Sequence, residues 1–211
     1  VFGGSRVREY AARLTRSPEE VEGLGMETGI MATVAMTRSE DEETLSAAAE
    51  SRLDEMLLHG TTTAESKSGY GLDVFSEIKL LRVNRRLDAE HAIDVVSTFM
   101  GAHDFPRELE REAYVEQIIG EMIPRVAAEN LAEFCDVFCD EGYYTVEQSR
   151  RILEAGIASG LAAKIHADQY SDLGGAGLAA ELAVVSADHL NFTGSEDLRD
   201  MAEAGVVGVL M

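Results

Sequence analysis

Three of the five histidines in this chain occupy one kind of position, the polar end of an apolar run: His103 in VVSTFMGAHD, His166 in GLAAKIHADQ and His189 in AVVSADHLN. An imidazole so placed can bind a metal, shuttle a proton or donate to an oxyanion. One such histidine is more often a satisfied core or capping residue, whereas three at equivalent positions favour chemistry. Asp168 and Asp188 flank two of them. Each can accept the second ring N–H or cap the following helix, and the residues alone leave both roles open. His59, just before Gly60 at a helix end, and His91, in the polar stretch DAEH, read as structural.

Other stretches are more ambiguous. In ESKSGYGLD, Lys67 and Tyr70 sit at a strand end before glycines that let backbone approach a ligand. Lys67 would be a Schiff-base nucleophile if desolvated, but a turn with a surface lysine is the simpler reading. DLGGAGLAAEL suggests a phosphate cradle, yet it matches neither the dinucleotide fingerprint nor the P-loop, and a tight turn into a helix explains it. Cys135 and Cys139 lie four apart in FCDVFCD without a second ligand pair nearby, so they read as buried thiols.

These residues need elements to position them. Short apolar runs alternate with helix-period segments, the pattern of repeated βα units around a parallel sheet. Strands are expected at Thr61–Ala64, Asp94–Gly101, Phe134–Cys139, Ala162–His166, Val184–Ala187 and Val206–Leu210, nearly apolar throughout and buried on both faces. Ser39-x-x-Glu42, Thr145-x-x-Gln148 and Thr193-x-x-Glu196 fit capping boxes, Ser17-Pro18 fits a helix start, and Gly60, Gly160 and Gly205 fit helix ends. Gly23, Gly25 and Gly29 suggest a long irregular loop. Tyr70, His103, Glu141, His166 and His189 mark successive strand ends at βα-unit spacing. Eight such units make a barrel of ~250 residues, with functional groups at the carboxyl ends of its strands. Six units fit here. The opening VFGG reads as the tail of a strand and the closing VVGVLM as an interrupted apolar run, so an α/β barrel incomplete at both ends is expected.

Composition narrows the partners. The 211 residues are 45% hydrophobic, enough for one large core, and carry a formal charge of −21 that would repel nucleic acid and anionic lipid. No apolar run is long enough to cross a bilayer and no basic leader is evident, so a cytoplasmic location is expected.

VFGGSR, ESKSGYGLD, STFMGAHDFP, KIHADQ followed by LGGAGLA, and SADHL, in that order, resemble the imidazolonepropionase family of the amidohydrolase superfamily from Val1 to Met211. The resemblance implies a (β/α)8 TIM-barrel enzyme that uses one divalent metal ion, zinc or iron. It adds water to 4-imidazolone-5-propanoate and opens the ring to N-formimidoyl-L-glutamate, in histidine degradation. Carried over by motif, His166 is a metal ligand, Arg6, Tyr70 and His103 hold the substrate, and His189 handles protons. Arg6 can clamp a propionate through two parallel hydrogen bonds. Gln169 stands where some members carry glutamate; because an amide is no base, it is assigned a substrate contact.

The family's His-X-His ligands would precede Val1 and its aspartate ligand would follow Met211. Residues 1–211 are therefore expected to form a single barrel segment without the family's small β domain, inactive in isolation. The full-length enzyme would take a small-molecule substrate, with a homodimer as one assembly open to it. Competing readings are another amidohydrolase, such as a deaminase or cyclic-imide hydrolase with different substrate contacts, a Schiff-base lyase using Lys67 or Lys164, and a non-catalytic barrel fragment.

Overall fold

In the computed structural model, which describes residues 3–25 and 28–211, six strands form one parallel sheet in sequential order. They are β1 (Thr63–Lys67), β2 (Asp94–Ala102), β3 (Phe134–Cys139), β4 (Ala162–Ala167), β5 (Ser186–His189) and β6 (Val207–Val209). Helices follow each of the first five: α5 (Val74–Glu90) after β1; α6 (Arg111–Gln117), a π turn (Ile118–Met122) and α7 (Ile123–Ala128) after β2; α8 (Val146–Ala158), α9 (Gly175–Glu181) and α10 (Ser195–Ala204) after β3, β4 and β5. Ahead of the sheet lie α1 (Val7–Thr15), α2 (Pro18–Glu22), α3 (Gly29–Ser39) and α4 (Glu42–Leu58). The loop expected around Gly23, Gly25 and Gly29 is the short link between α2 and α3, within which residues 26 and 27 lie outside the described residues. The strand tail expected at Val1 and Phe2 lies outside the described residues.

A sequential strand order places each helix beside its predecessor on one side of the sheet, the winding of a barrel rather than of an open doubly wound sheet. Curvature is visible in a contact: Lys67 on β1 reaches Asp188 on β5 at 2.6 Å. In a flat sheet those strands would stand about 19 Å apart, at ~4.8 Å per step, beyond any lysine's reach. The sheet therefore curls, with β1 and β6 as its unpaired edges among the described residues.

The two faces differ chemically. Outward-pointing Phe99, Cys135, Val137, Cys139, Ala163, Ile165, Ala167 and Ala187 are buried in one continuous apolar core with the helices. Inward-pointing Glu65, Lys67, Thr98, Asp136, Lys164, His166 and Asp188 are polar and joined by hydrogen bonds. This corrects the expectation of strands apolar on both faces. It also explains why the first strand runs Thr63–Lys67 rather than Thr61–Ala64: its interior residues are charged and mimic a turn. The fifth strand is likewise displaced toward His189, at Ser186–His189 rather than Val184–Ala187.

Local signals fared unevenly. Thr145 and Gln148 form the expected capping box, Ser17 and Glu20 form another, and Gly60, Gly160 and Gly205 take positive φ at helix ends. Ser39 caps nothing, because Asp41, nearer the start of α4, accepts from the Thr44 amide at 2.8 Å. Thr193 gives its hydroxyl to Asp168 instead, and Gly194 stands at the N-cap of α10.

Helix α8 sits against β3 through Gly156, where an added Cβ would stand 2.7 Å from Cys135 Cβ. Gly156→Ala is expected to cost about 1–3 kcal/mol by overpacking. Gly120→Ala, whose Cβ would meet nothing within 4 Å, should gain up to about 1 kcal/mol from lower chain entropy. Urea unfolding of both variants checks this, and equal effects would refute the packing account.

Candidate active site

His166 is the next-to-last residue of β4, in register with Phe138 on β3 and Asp188 on β5. Its Nδ1 lies 3.2 Å from Asp136 Oδ1 and 3.9 Å from Asp188 Oδ2. A carboxylate only accepts, so Nδ1 donates to Asp136 and Nε2 keeps its lone pair, able to accept a hydrogen bond or bind a metal. Lys67 places Nζ 2.7 Å from Asp136 Oδ2 and 2.6 Å from Asp188 Oδ2. One level deeper, Glu65 accepts from Lys164 Nζ at 2.8 Å and from the Thr98 hydroxyl at 2.6 Å. Burial favours the neutral acid at Asp136, but His166 and Lys67 overcome it and hold the carboxyl below its usual range. Burial likewise disfavours the Lys67 ammonium, and the two aspartates more than restore it, raising its pKa. Lys67 is therefore a fixed cation, neither a surface lysine nor a Schiff-base nucleophile. Lys164 is tied to Glu65.

The other two histidines sit beside His166. Ring centroids lie 6.2 Å apart for His103 and His166 and 5.3 Å apart for His166 and His189. Phe138 stands among all three, at 6.2, 5.9 and 6.5 Å from His103, His166 and His189. His103 follows β2, whose pairing with β3 shifts register between Phe99 and Ala102. Its Nδ1 donates to the Gly69 carbonyl at 3.1 Å, and burial first, then the nearby His166, lowers its pKa to about 4. His189 has φ of 78° and Leu190 of 58°. Left-handed backbone at a non-glycine costs on the order of 1–3 kcal/mol and persists where its surroundings enforce it. Burial, then His166, lowers the pKa of His189 as well.

Tyr70 meets His103 edge-on at 5.1 Å between centroids. Its loop is held by the buried Glu77, whose carboxylate accepts from the amides of Gly69, Gly71 and Leu72. Gly69, at φ of 93°, lies so near β2 that a Cβ would fall 2.7 Å from the Met100 carbonyl, so glycine is required. Arg6 and Tyr70 line one cleft of about 530 Å³ with Glu9 and Arg13. Arg6 already makes two parallel bonds, to Glu9, the Nη2–Oε1 bond being 2.8 Å long. Glu9 also accepts from the Gly29 amide and pairs with Arg13, joining α1 to the start of α3. Gln169 is half-buried just beyond β4, and its backbone carbonyl accepts from Asn191.

The ambiguous aspartates separate. Asp168 accepts from the Gly175 and Ala176 amides and the Thr193 hydroxyl, so it fills the anion position at the start of α9 that a phosphate would need. Asp188 points into the ionic cluster, and its Oδ1 is buried with no hydrogen-bond partner among the described residues. His59 bonds the Glu55 carbonyl and His91 the Ile93 amide, both structural as expected. Cys135 and Cys139 are buried free thiols. Asp136, Glu65, Phe138 and Glu77 escaped notice in the sequence. For Asp136 a signal exists: a lone acid inside an apolar strand, two residues from Phe138, marks one face.

Imidazole and carboxylate are groups a divalent cation can use, although Lys67 and the His166 Nδ1–H already engage both oxygens of Asp136 and one of Asp188. Asp136, His166 and Asp188 offer ligand atoms all within 4.8 Å of one another, and an orphaned buried carboxylate oxygen marks the cluster as electronegative. Imidazole and carboxylate accept zinc or iron.

Replacing Asp168 by alanine should lower stability by about 1–3 kcal/mol, because two buried amides lose their acceptor, as measured by urea unfolding. Glu9 gives a pH test. Arg6, then the Gly29 amide, lower its pKa from an ordinary 4.5 to about 2, against the effect of burial. Its contribution is complete above pH 4.5 and disappears as pH falls toward about 2. Glu9→Gln should therefore lower Tm at pH 6 and converge on the unsubstituted protein near pH 2; a gap constant with pH would exclude the charge as its source.

No family model matches the chain. Imidazolonepropionase of Geobacillus kaustophilus is 49% identical over 213 residues, spanning 100% of this chain and 50% of that protein. Its counterpart from Haloarcula marismortui is 46% identical, again across 100% of this chain and 50% of that protein. Among solved structures, an amidohydrolase from Burkholderia ambifaria with bound Zn superposes with a TM-score of 0.62 at 14% identity, covering 95% of this chain and 58% of that one. An adenine deaminase from Arthrobacter aurescens gives 0.61 at 12% identity, over 96% and 66%. At such identities the structures bear on the fold alone: they share the curled parallel sheet with its flanking helices. The chain spans about half the length of the curated relatives it matches, and over all of its own length it resembles imidazolonepropionase.

Proposed function

We propose that this chain is the greater part of the barrel, residues 1–211, of a metal-dependent hydrolase that opens the cyclic amide of 4-imidazolone-5-propanoate to N-formimidoyl-L-glutamate, in the cytoplasm. The sheet would then be completed as a (β/α)8 barrel. The observation that carries this reading is the wall of three imidazoles around Phe138, with His166 Nε2 open beside its Asp136-bound Nδ1, in a chain 49% identical to an imidazolonepropionase. Among the described residues no helix is long and apolar enough to cross a membrane.

His166 would hold one divalent ion, zinc or iron, through Nε2. When bound, such an ion polarises a carbonyl and brings the pKa of a water toward ~7. The remaining tasks fall to this chain. Arg6 receives the propionate, which requires that it exchange its bonds to Glu9 or share its other N–H donors. Tyr70 and His103 flank the ring. His103, neutral above about pH 4, keeps Nδ1–H on the Gly69 carbonyl and so presents Nε2 as an acceptor toward a ring N–H. His189, beside His166, would take up the proton that the attacking water gives up and pass it to the departing ring nitrogen, an acid–base role worth on the order of 10²–10⁴-fold. Gln169 contributes a hydrogen bond to substrate. A small molecule with a carboxylate is the ligand class Arg6 selects. A substrate lacking it leaves the cleft around Arg6 and Tyr70 without a use, which disfavours a deaminase of otherwise similar barrel.

The test uses the protein at its natural full length, stripped by chelator and reloaded with zinc or iron, following loss of the ultraviolet absorbance of 4-imidazolone-5-propanoate. Turnover is expected only after reloading. His166→Ala should fall by more than the 10–100-fold that losing an outer partner of a ligand costs. Arg6→Lys should raise KM more than it lowers kcat. A folded, metal-loaded protein that leaves the substrate intact would overturn the substrate assignment.

A further inference from the structure

The strongest negative feature of the inner face is the buried pair Asp136 and Asp188, with His166 between them in space. Two carboxylates and an imidazole whose ligand atoms all lie within 4.8 Å form a donor set that divalent cations favour. Yet a cation already belongs to this chain at that point. Lys67 Nζ contacts one oxygen of each aspartate, at 2.7 and 2.6 Å, and lies 3.7 Å from Glu65 Oε1. It arrives from β1, across the curl of the sheet, and its side chain is only 19% exposed. His166 Nδ1, the third donor, is also committed, to Asp136 Oδ1. Apart from Asp188 Oδ1, the atoms that would make a second metal position are thus engaged by an ammonium or an N–H.

We infer that Lys67 is a built-in cation that closes the Asp136–Asp188 pair to divalent metal and so confines metal binding to the Nε2 side of His166. It is a positioning residue: its ammonium holds Asp136 where that carboxylate can take Nδ1–H and fix the imidazole tautomer. This rests on the metal-centre reading above for the site at Nε2, but the closure of the aspartate pair stands on the contacts of Lys67 alone. Removing the ammonium leaves two buried carboxylates, one of them with an orphaned oxygen, without a compensating charge. A divalent ion is then the available replacement.

The experiment counts metal bound by the protein at its natural full length after dialysis against zinc chloride, using atomic emission, with circular dichroism to confirm folding. The unsubstituted protein should hold one equivalent and Lys67→Met two. Lys67→Met combined with Asp136→Asn should return to one, and Lys67→Arg, which keeps a cation with N–H donors for both carboxylates, should also hold one. If Lys67→Met does not fold, Lys67→Gln, whose amide can still donate to the carboxylates, is counted in its place. Should both unfold, refolding with zinc chloride is expected to restore structure where refolding without it does not. An unchanged count in a folded variant, or no rescue by zinc, would overturn the inference, as would two equivalents in the unsubstituted protein. Failure of the metal-centre reading has a different signature: no metal in the unsubstituted protein and one equivalent gained in Lys67→Met.

Discussion

The ammonium of Lys67 stands between two aspartates that belong to the third and fifth strands, while its own backbone belongs to the first. Almost everything distinctive about the inner face depends on that bridge. A buried charge is expensive to desolvate, and a buried ion pair often contributes little net stability compared with apolar packing. What it contributes instead is geometry, since removing one partner of such a pair costs about 3–5 kcal/mol and the charges can be satisfied together only if the sheet curls to the right radius. The same contact that neutralises Asp136 frees its other oxygen to orient His166. Curvature, charge balance and imidazole tautomer are therefore one constraint seen at three scales.

Around this bridge the strands divide their labour by parity. On β3, Cys135, Val137 and Cys139 pack outward against helices while Asp136 and Phe138 point inward. On β4, Ala163, Ile165 and Ala167 pack outward while Lys164 and His166 point inward. The apolar side supplies most of the driving force, through close packing such as Gly156 against Cys135. That surplus sustains the cost of an ionic inner face and of left-handed backbone at His189 and Leu190. The loops beyond the strands repeat the pattern: Glu77 and Asp168, both fully buried, each organise one loop by accepting backbone amides rather than by touching the candidate site.

Much of this was legible before any coordinates. The βα alternation, the strand positions at Asp94, Phe134 and Ala162, and the location of three histidines at strand ends follow from apolar periodicity interrupted by polar residues, a signal that local sequence carries directly. One capping box, at Thr145, the helix start at Ser17-Pro18 and three glycine helix ends are equally local, because each involves groups within four residues. The signals that misled were those with a competing partner nearby or far away. Ser39 lost its cap to Asp41, two residues on, and Thr193 gave its hydroxyl to Asp168, 25 residues distant.

By itself, then, the order of residues determined the alternation of strands and helices and which histidines end the strands, since those depend on periodicity and short-range hydrogen bonds. Its motifs also carried a family likeness across the whole chain. Tertiary structure alone decided that Lys67 is a half-buried, ion-paired cation rather than a free surface residue, that Asp188 joins the cluster while Asp168 caps a helix, and that Arg6 is held by Glu9. Two of these pairings join strands 69 and 121 residues apart along the chain. The reason is electrostatic: the state of a charged side chain is set by which opposite charges and how much water surround it, and that environment exists only once the sheet has curled.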